Sequence, residues 1–374
     1  MLHNLLFVIS HQPNPRFIKQ INYLSRYGFN VSVVYFERSC LANLNSNIDK
    51  NVKLYSLGAI ENGKYLKRIG VYIKSIFVVR KKLKVVQPDK VIITNIDTLF
   101  LLILCNIRKY SNDIVMEISD LKSYTFNNKL TDKLQRLFDE IILDKYISKL
   151  ILTSYKFYEF YYSSKFNGKY FILHNKPLDS MLPKKIEKKK NEKLVIGVVG
   201  LLLDGKPHKA LFECIKGRSD IEVHIYGKGE YEVQAIEYAE NYDNIKYFGE
   251  YDFFKDISSI YASLDVIYMS YDTTKNDLNV NLALPNKLYE AMYFKVPIIT
   301  TKGTYLGEIV RGYGIGQTIE CCNFRDINRA ITYLNSNNLC VKFDAIPAKE
   351  YIANCDYEKL LVFIKESSGG ATIN

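Results

Sequence analysis

The sequence predicts an α/β protein with two doubly wound parallel sheets, and two observations support this fold class. Short apolar runs alternate with segments of helical periodicity, and this strand, loop and helix order restarts at Leu194. The chain has 374 residues, more than the roughly 250–300 residues at which a single core stops growing. We therefore expect domains over 1–176 and 194–348, a proline- and lysine-rich linker over 177–193, and a C-terminal segment over 349–374.

Composition and net charge indicate the class of protein and the kind of partner that it binds. The chain is 48% hydrophobic and 24% charged, as is typical of a globular protein. Its formal net charge of +11 predicts an anionic partner, which could be nucleic acid, an anionic membrane face or a phosphorylated substrate. Because no nucleic-acid reader motif occurs, we expect no nucleic-acid partner.

Cysteine spacing and the distribution of apolar residues bear on metals and on location. The seven cysteines show no CxxC or Cys/His spacing suited to zinc, so we predict reduced thiols and no metal site. The N-terminal residues lack a basic region followed by a small-residue cleavage site. No run of about 18 apolar residues occurs that could span a membrane. We therefore expect a cytoplasmic protein.

The first half opens with a strand, helix and strand. Leu5–Ser10 is a short apolar run of the kind that forms a buried parallel strand. The apolar face of the next helix is formed by Phe17, Ile21, Leu24 and Tyr27. Gly28 ends this helix, and Val31–Tyr35 predicts the second strand.

The loop between this first strand and its helix is a candidate ligand site. It lies at the carboxyl end of a strand, where doubly wound folds bind ligands. It carries His11, Asn14 and Arg16. The alternative is a loop histidine and a helix-start arginine that only face water.

Two aspartates follow the next two predicted strands. Asp97 comes just after Lys90–Thr94, and Asp120 comes just after Ile114–Ile118. Since the carboxyl ends of parallel strands lie at one edge of a sheet, we expect both carboxylates at the same rim. If a group transfer at this rim inverts the reacting carbon, one of these carboxylates should deprotonate the acceptor hydroxyl. The alternative is that each aspartate caps the helix that follows it.

The segment from Lys64 to Lys84 predicts a basic amphipathic helix. It carries eight lysines and arginines, no acidic residue, and interleaved apolar residues. Such a helix can rest on anionic lipid, which contributes about 1 kcal/mol for each basic residue near the surface. A solvated charged face above an ordinary core stripe is the competing interpretation.

The second half begins a new strand, loop and helix unit, and its loop resembles a phosphate-binding loop. Gly200–Pro207 follows an apolar strand and nearly matches the Walker A pattern, with Lys206 at the lysine position. Pro207 stands where that pattern needs a hydroxyl for magnesium, which argues against a P-loop NTPase. Further along, Gly227 and Lys228 follow the strand Ile221–Tyr226, and Asp272 follows another strand.

The stretch Leu284–Met292 is the strongest functional signal in the chain. A helix opens beside Asn286, Lys287 and Glu290, and a β-branched strand follows from Val296. Unpaired N–H groups at a helix start, together with a lysine, attract phosphate. A glutamate one turn later can accept two hydrogen bonds from a ribose diol. These residues predict a nucleoside diphosphate site.

This stretch, with Gly303–Val310 after it, resembles the donor-binding segment of GT-B glycosyltransferases, of the family 4-like group of bacterial capsule and lipopolysaccharide assembly. The resemblance implies two Rossmann-like domains that face each other across a cleft, with a C-terminal helix that crosses back to the first domain. It implies a nucleotide-sugar donor, a glycan acceptor linked to polyprenyl diphosphate, and a position on the inner face of the cell membrane.

The resemblance also assigns roles to individual residues. The donor-binding residues would be Lys206, Gly227, Lys228, Asp272, Asn286, Lys287, Leu288 and Glu290. The catalytic candidates are His11, Asp97 and Asp120, and the acceptor candidates are Asn14 and Arg16. No cofactor is expected, because the chain contains no Asp-x-Asp motif of the kind that metal-dependent sugar transferases use.

Two positions depart from the family pattern. Leu282 replaces the glutamate expected eight residues before Glu290, and Leu201 replaces the arginine expected after Gly200. The choice between a retaining and an inverting reaction therefore stays open, with retention favoured. Three other functions also stay open: a two-domain nucleotide-sugar epimerase, a P-loop NTPase and a non-catalytic nucleotide-binding module.

Overall fold

The structure is a computed structural model that describes residues 3–37, 47–59, 65–121, 140–188, 191–203, 205–275, 277–337 and 340–366. For residues 65–69, 340 and 341 it describes the backbone alone. Lys64, Lys67 and Arg68 of the predicted basic helix therefore lie outside the described side chains. Residues 189–190 of the predicted linker and the tail from 367 also lie outside the described residues.

The chain forms two compact units, each with its own parallel sheet. The first unit comprises the chain up to His174 and continues from Asp356, and the second runs from Asn175 to Cys355. All strand pairings described in the two sheets are parallel. The predicted fold class, two doubly wound Rossmann-like domains, is confirmed.

The first sheet has seven strands in the order β3-β2-β1-β4-β5-β6-β7. The strands are β1 (His3–Ile9), β2 (Phe29–Glu37), β3 (Lys53–Ala59), β4 (Lys90–Thr94), β5 (Ile114–Ile118), β6 (Lys149–Leu152) and β7 (Lys169–Ile172). The central strands β4 and β5 are buried along their whole length. Helices on both faces of a parallel sheet require such continuous apolar runs.

The described helices of the first unit include one long basic helix. They include α1 (Pro15–Arg26), α2 (Tyr65–Val86), α3 (Asn95–Leu104) and the short α4 (Tyr155–Phe157), which continues as a π-helix over Tyr158–Tyr162. Phe17, Ile21 and Leu24 of α1 are buried as predicted, but Tyr27 is 52% exposed. The difference arises because α1 ends at Arg26 and Tyr27 is its C-cap. Within the described chain, no helix has the length and apolar character needed to cross a bilayer.

The second sheet has six strands in the order β10-β9-β8-β11-β12-β13. The strands are β8 (Leu194–Val199), β9 (Ile221–Tyr226), β10 (Ile245–Gly249), β11 (Val266–Met269), β12 (Ile298–Thr301) and β13 (Gly316–Ile319). The helices around it are α5 (Gly205–Ile215), α6 (Glu232–Asn241), α7 (Phe253–Ser263), α8 (Leu278–Leu282), α9 (Asn286–Phe294), α10 (Tyr305–Tyr313), α11 (Phe324–Ser336) and α12 (Cys340–Asp344).

The segment predicted as a linker is part of the second unit. The Ser258 hydroxyl on α7 donates a hydrogen bond to the carbonyl of Lys184 (2.8 Å), and the Tyr293 hydroxyl on α9 donates to the carbonyl of Pro183 (3.1 Å). The segment therefore packs along these two helices, and the second unit begins before its first strand.

The last helix, α13 (Asn354–Lys365), completes the first unit. The Lys149 ammonium on β6 donates hydrogen bonds of 2.6 Å to the carbonyls of Phe363 and Glu366. The last turn of an α-helix leaves its C=O groups without intrahelical donors, and the Lys149 ammonium supplies a donor at this end. The Phe363 ring stacks on Phe171 of β7 with centroids 5.4 Å apart. The helix is thus anchored on the β6 and β7 side of the first sheet.

Candidate functional site

Two glycine-bearing loops meet at the carboxyl ends of β8 and β9. Gly200 and Gly227 follow these strands with φ of +98° and +125°, values that residues with a side chain rarely adopt. A Cβ at Gly227 would lie 2.0 Å from the carbonyl oxygen of Gly200. The Gly200 N–H donates to the Tyr226 carbonyl (2.8 Å), and the Leu202 N–H donates to the Lys228 carbonyl (3.0 Å). Glycine at 227 therefore lets the two loops touch.

Lys206, in the first turn of α5, directs its amine to the loop that follows β11. Its Nζ donates a hydrogen bond to the Thr274 hydroxyl (3.2 Å) and lies 3.3 Å from Oδ2 of Asp272. The Lys206 side chain is 65% exposed, whereas that of Asp272 is 1% exposed. A buried carboxylate thus holds an exposed amine near the N-terminus of a helix, an arrangement suited to an anion.

Asp272 is itself held by its own turn. Its Oδ1 accepts hydrogen bonds from the backbone N–H (3.0 Å) and the hydroxyl (2.5 Å) of Thr274. Burial opposes ionisation of Asp272, but the hydrogen bonds from Thr274 and the pairing with Lys206 hold the pKa of this carboxyl below its ordinary value. Asp272 is therefore an ionised anchor for the lysine.

A second cation and a second carboxylate lie one turn apart on α9. The Lys287 Nζ would be 3.6 Å from a Cβ on Gly200, so its amine reaches the loop after β8. The same Nζ lies 6.0 Å from the centroid of the Tyr271 ring. The Glu290 side chain is buried, and its Oε2 accepts a hydrogen bond of 3.0 Å from the Tyr261 hydroxyl.

Burial shifts the pKa of both α9 groups toward the neutral form. Burial raises the pKa of Glu290, although the hydrogen bond from Tyr261 and the charge of Lys287 oppose the rise. Burial lowers the pKa of Lys287, and the charge of Glu290 opposes that change. A phosphate beside Lys287 would favour its protonated form, because an opposite charge stabilises an ammonium.

The other predicted donor residues have different environments in the structure. Oδ1 of Asn286 accepts a hydrogen bond from the Asn175 amide (2.7 Å). Lys228 forms an ion pair of 3.1 Å with Glu250. Leu288 is 1% exposed and packs in the core of the second unit, so its side chain supports the helix and does not line a site.

In the first unit, Arg16 is buried in an ion pair. Its Nε lies 2.6 Å from Oε1 of Glu117 on β5, and the two side chains are 6% and 0% exposed. Among the described residues, Nη1 and Nη2 of Arg16 and Oε2 of Glu117 have no hydrogen-bond partner. Buried polar groups are normally satisfied, so this pair retains unused donor and acceptor capacity at the carboxyl end of β5.

The other two residues of the first loop have local roles in the structure. Asn14 is the N-cap of α1, and its Oδ1 accepts the Phe17 N–H at 3.1 Å. The His11 Nδ1 donates to the Gln12 carbonyl at 2.7 Å, and the His11 ring contacts the Phe17 ring with centroids 5.8 Å apart. The loop is thus folded back on the start of α1.

Asp97 and Asp120 follow two adjacent strands of the first sheet. Asp97 lies in the first turn of α3, directly after β4, and Asp120 lies two residues beyond β5. The ends of β1 and β4 are joined there, since the Ser10 N–H donates to the Thr94 hydroxyl (3.0 Å). The structure brings these positions to one edge of the sheet, as the strand order requires.

Sequence reasoning missed the partners that hold these groups. Glu117 had a usable signal: it is the one acidic residue in an otherwise apolar strand, and a buried carboxylate needs a compensating partner. Tyr261 and Thr274 had no signal, since a tyrosine and a threonine in an α/β unit are ordinary residues until the tertiary contacts are known.

A protein-family model matches most of the second unit. Residues 182–349 match the model of the glycosyl transferases group 1 family. This range includes every predicted donor residue. No curated protein sequence matches the chain significantly.

Solved structures resemble the whole chain at low sequence identity. A glycosyltransferase from Rickettsia africae ESF-5 has a TM-score of 0.72 and 14% identity, with 97% of this chain and 98% of that chain covered. Alr3699/HepE from Anabaena, solved with UDP, has a TM-score of 0.69 and 11% identity, covering 96% and 99%. The lipopolysaccharide outer core galactosyltransferase WaaB has a TM-score of 0.65 and 13% identity, covering 97% and 99%. The protein therefore has the GT-B fold, and within it residues 182–349 are similar to the glycosyl transferases group 1 family.

Proposed function

We propose that this protein transfers a sugar from a nucleoside-diphosphate donor to a glycan acceptor, and that the second unit binds the donor. The observation that carries the proposal is the position of two amines beside loops that follow strands of the second sheet: Lys287 beside Gly200 after β8, and Lys206 beside Asp272 after β11. The Glu290 carboxylate lies one helical turn from Lys287. Two amines and a helix N-terminus suit a diphosphate. The relative HepE was solved with UDP and with UDP and glucose, which supports a nucleotide-sugar donor here.

In the proposed reaction, the bond from the anomeric carbon to the diphosphate oxygen breaks and a bond to the acceptor oxygen forms. Lys206 and Lys287 stabilise the negative charge that grows on the departing diphosphate. If the reaction inverts the anomeric centre, the acceptor proton passes to a base of the first unit, for which Asp97, Asp120 and His11 are the candidates; if it retains the configuration, the departing diphosphate can take that proton. Because two amines supply the positive charge, we propose that the reaction needs no metal, and we favour retention at the anomeric carbon.

A binding experiment tests the donor site. Thermal-shift titration of the full chain with UDP, GDP, ADP, CDP and dTDP should give a stabilising shift with at least one of them. The shift should shrink in Lys287→Ala and in Glu290→Ala. Glu240→Ala is the matched control, because Glu240 is exposed on α6. A shift that survives both substitutions, or no shift with any nucleotide, would contradict the proposed site.

A turnover experiment separates transfer from epimerisation. The nucleotide that binds best is supplied as its sugar conjugate, without acceptor and then with a polyprenyl-diphosphate-linked glycan. Release of free nucleoside diphosphate that depends on the acceptor supports transfer. Isomerisation of the sugar on an intact nucleotide, without acceptor, would instead identify an epimerase.

We further propose that the first unit lies against an anionic membrane, where a lipid-linked acceptor would be found. Ile73 and Phe77 of α2 and Phe100 and Leu104 of α3 are large exposed apolar residues. They accompany exposed basic residues of α2, which are Lys74, Arg80, Lys81 and Lys84. The Arg80 Nη2 donates to the Leu104 carbonyl (2.6 Å), which ties the end of α3 to α2. A patch that combines apolar and basic side chains suits the headgroup region of a bilayer.

Liposome sedimentation tests this surface. The full chain should bind vesicles that contain phosphatidylglycerol, and salt should weaken the binding. Neutralising two basic residues in Lys81→Gln/Lys84→Gln should cost about 2 kcal/mol, which is roughly a 30-fold loss in affinity. Lys255→Gln is the control, since this exposed lysine lies on α7 of the second unit. Equal binding of the double variant and the control would refute the membrane proposal. The proposed role of the protein in capsule or lipopolysaccharide assembly depends on this membrane proposal.

A further inference from the structure

Tyr261 is the residue that holds the Glu290 carboxylate. Its side chain is 1% exposed on α7, and its hydroxyl donates a hydrogen bond of 3.0 Å to Oε2 of Glu290 on α9. Its ring stacks on the Phe294 ring of α9, with centroids 4.9 Å apart and planes 22° apart. The hydroxyl therefore has little freedom to turn away from the carboxylate.

The direction of this hydrogen bond is fixed by chemistry. Burial, together with the negative charge of Glu290, raises the pKa of Tyr261 well above its ordinary value, so the hydroxyl keeps its proton and is the donor. An ionised carboxylate only accepts hydrogen bonds, on about four lone-pair sites shared by two oxygens. One oxygen of Glu290 is thus committed to Tyr261, and the carboxylate keeps capacity for a second donor.

The orientation of a glutamate carboxylate is otherwise loosely defined. Its last torsion has broad, roughly two-fold preferences, so an unanchored carboxylate samples many orientations. A ribose diol offers two hydroxyl donors at a fixed spacing, and only an oriented carboxylate accepts from them without an ordering cost. A tyrosine that fixes one oxygen therefore prepares the other for the sugar.

We propose that Tyr261 is a positioning residue that orients Glu290, and that the pair makes this site select ribonucleoside diphosphates over their 2′-deoxy counterparts. The inference rests on the proposed donor site. It implies that the donor is a sugar linked to a ribonucleotide and not to dTDP.

Isothermal titration of the full chain with UDP, GDP, dUDP and dGDP tests this proposal. The parent should bind one ribonucleotide at least about 10-fold more tightly than its deoxy counterpart, a difference of about 1.4 kcal/mol. Tyr261→Phe keeps the stacked ring and removes the hydroxyl. This variant should lose most of the ribonucleotide preference, while its affinity for the deoxynucleotide stays within about two-fold.

Tyr268→Phe is the matched control. Tyr268 is equally buried in the same unit, and its hydroxyl donates to the carbonyl of Pro207 at 3.1 Å instead of to Glu290. Both substitutions remove one buried hydrogen bond, so both should lower the melting temperature. Only Tyr261→Phe should change the ratio of ribonucleotide to deoxynucleotide affinity.

A pH series adds a readout that a purely structural role would not change. Since the hydrogen bond from Tyr261 lowers the pKa of Glu290, its removal should shift the acid side of UDP binding to higher pH. If Tyr261→Phe does not fold, Phe294→Leu loosens the stacked ring and should give a smaller loss of preference in the same direction.

The possible outcomes separate this inference from the proposed function. If Glu290→Gln abolishes the ribonucleotide preference and Tyr261→Phe leaves it intact, the positioning role is wrong and the donor site stands. A parent that binds ribo- and deoxynucleotides equally also overturns the inference. If no nucleoside diphosphate binds, the proposed function itself fails.

Discussion

Replacing Glu117 by leucine would isolate the buried Arg16 charge in the first unit. The two side chains are 6% and 0% exposed and share one contact of 2.6 Å. Breaking such a pair by removing one partner costs about 3–5 kcal/mol, because an uncompensated charge stays buried. At about 2–4 °C per kcal/mol for a unit of 150–250 residues, the melting temperature of the first unit should fall by about 6–20 °C.

The control for Glu117→Leu is an exposed pair in the same unit. Arg26 and Asp49 make two hydrogen bonds of 2.6 and 2.7 Å, but the Arg26 side chain is 63% exposed. An exposed pair contributes about 0–1 kcal/mol, so Arg26→Ala should lower the melting temperature by no more than about 4 °C. Differential scanning calorimetry of the full chain measures both effects.

A double variant tests whether the ion pair adds stability beyond what apolar side chains would provide at the same two positions. Arg16→Met/Glu117→Leu removes both charges and should be nearly as stable as the parent, or more stable, because well-packed apolar residues often match a buried ion pair. The reasoning is refuted if Glu117→Leu costs no more than Arg26→Ala. If the double variant folds normally but no longer uses the glycan acceptor, the Arg16–Glu117 pair contributes to acceptor binding, in line with the acceptor role that the resemblance implies for Arg16.

Three further outcomes are expected. Gly227→Ala should destabilise the second unit more than Gly217→Ala, because both positions have positive φ but only Gly227 would place a Cβ 2.0 Å from a backbone oxygen; equal melting temperatures would contradict this. Burial, reinforced by Arg16 and opposed by Glu117 and Asp356, lowers the pKa of Lys19 to about 7 from 10.5. The unfolded chain therefore binds more protons than the folded chain between pH 7 and 10.5. The free energy of unfolding should rise over this range by up to about 1.4 kcal/mol per pH unit. Urea unfolding at a series of pH values measures this rise, and Lys19→Met should flatten it. Finally, excess EDTA should leave nucleotide binding and transfer unchanged; a loss restored by Mg²⁺ would overturn the metal-independent proposal.

The interior strands could be predicted from the sequence because burial on both faces demands unbroken apolar runs. The predicted strands at Lys90–Thr94 and Ile114–Ile118 coincide with β4 and β5. The edge strands β3 and β13 were not predicted. β3 has mixed burial and β13 has only four residues, so neither carries the apolar run that identifies an interior strand.

The candidate site could be predicted only in part, because sequence gives spacing along the chain but not contacts across it. The helix that bears Lys287 and Glu290 was identifiable from its periodicity and from the β-branched strand after it. The contact of Lys287 with the loop of Gly200 depends on how α9 packs near the end of β8, which no local pattern encodes. The Tyr261 contact is of the same kind, since 29 residues separate the two partners.

The discontinuity of the first unit has a consequence for biosynthesis. Lys149 and Phe171 acquire their partners only when α13 has been made, and the whole second unit, Asn175–Cys355, is translated in between. At 5–20 residues per second this interval lasts about 10–40 s. The half of the protein that leaves the ribosome first is therefore the last to be completed, whereas the contiguous second unit has all of its strands available as soon as it emerges.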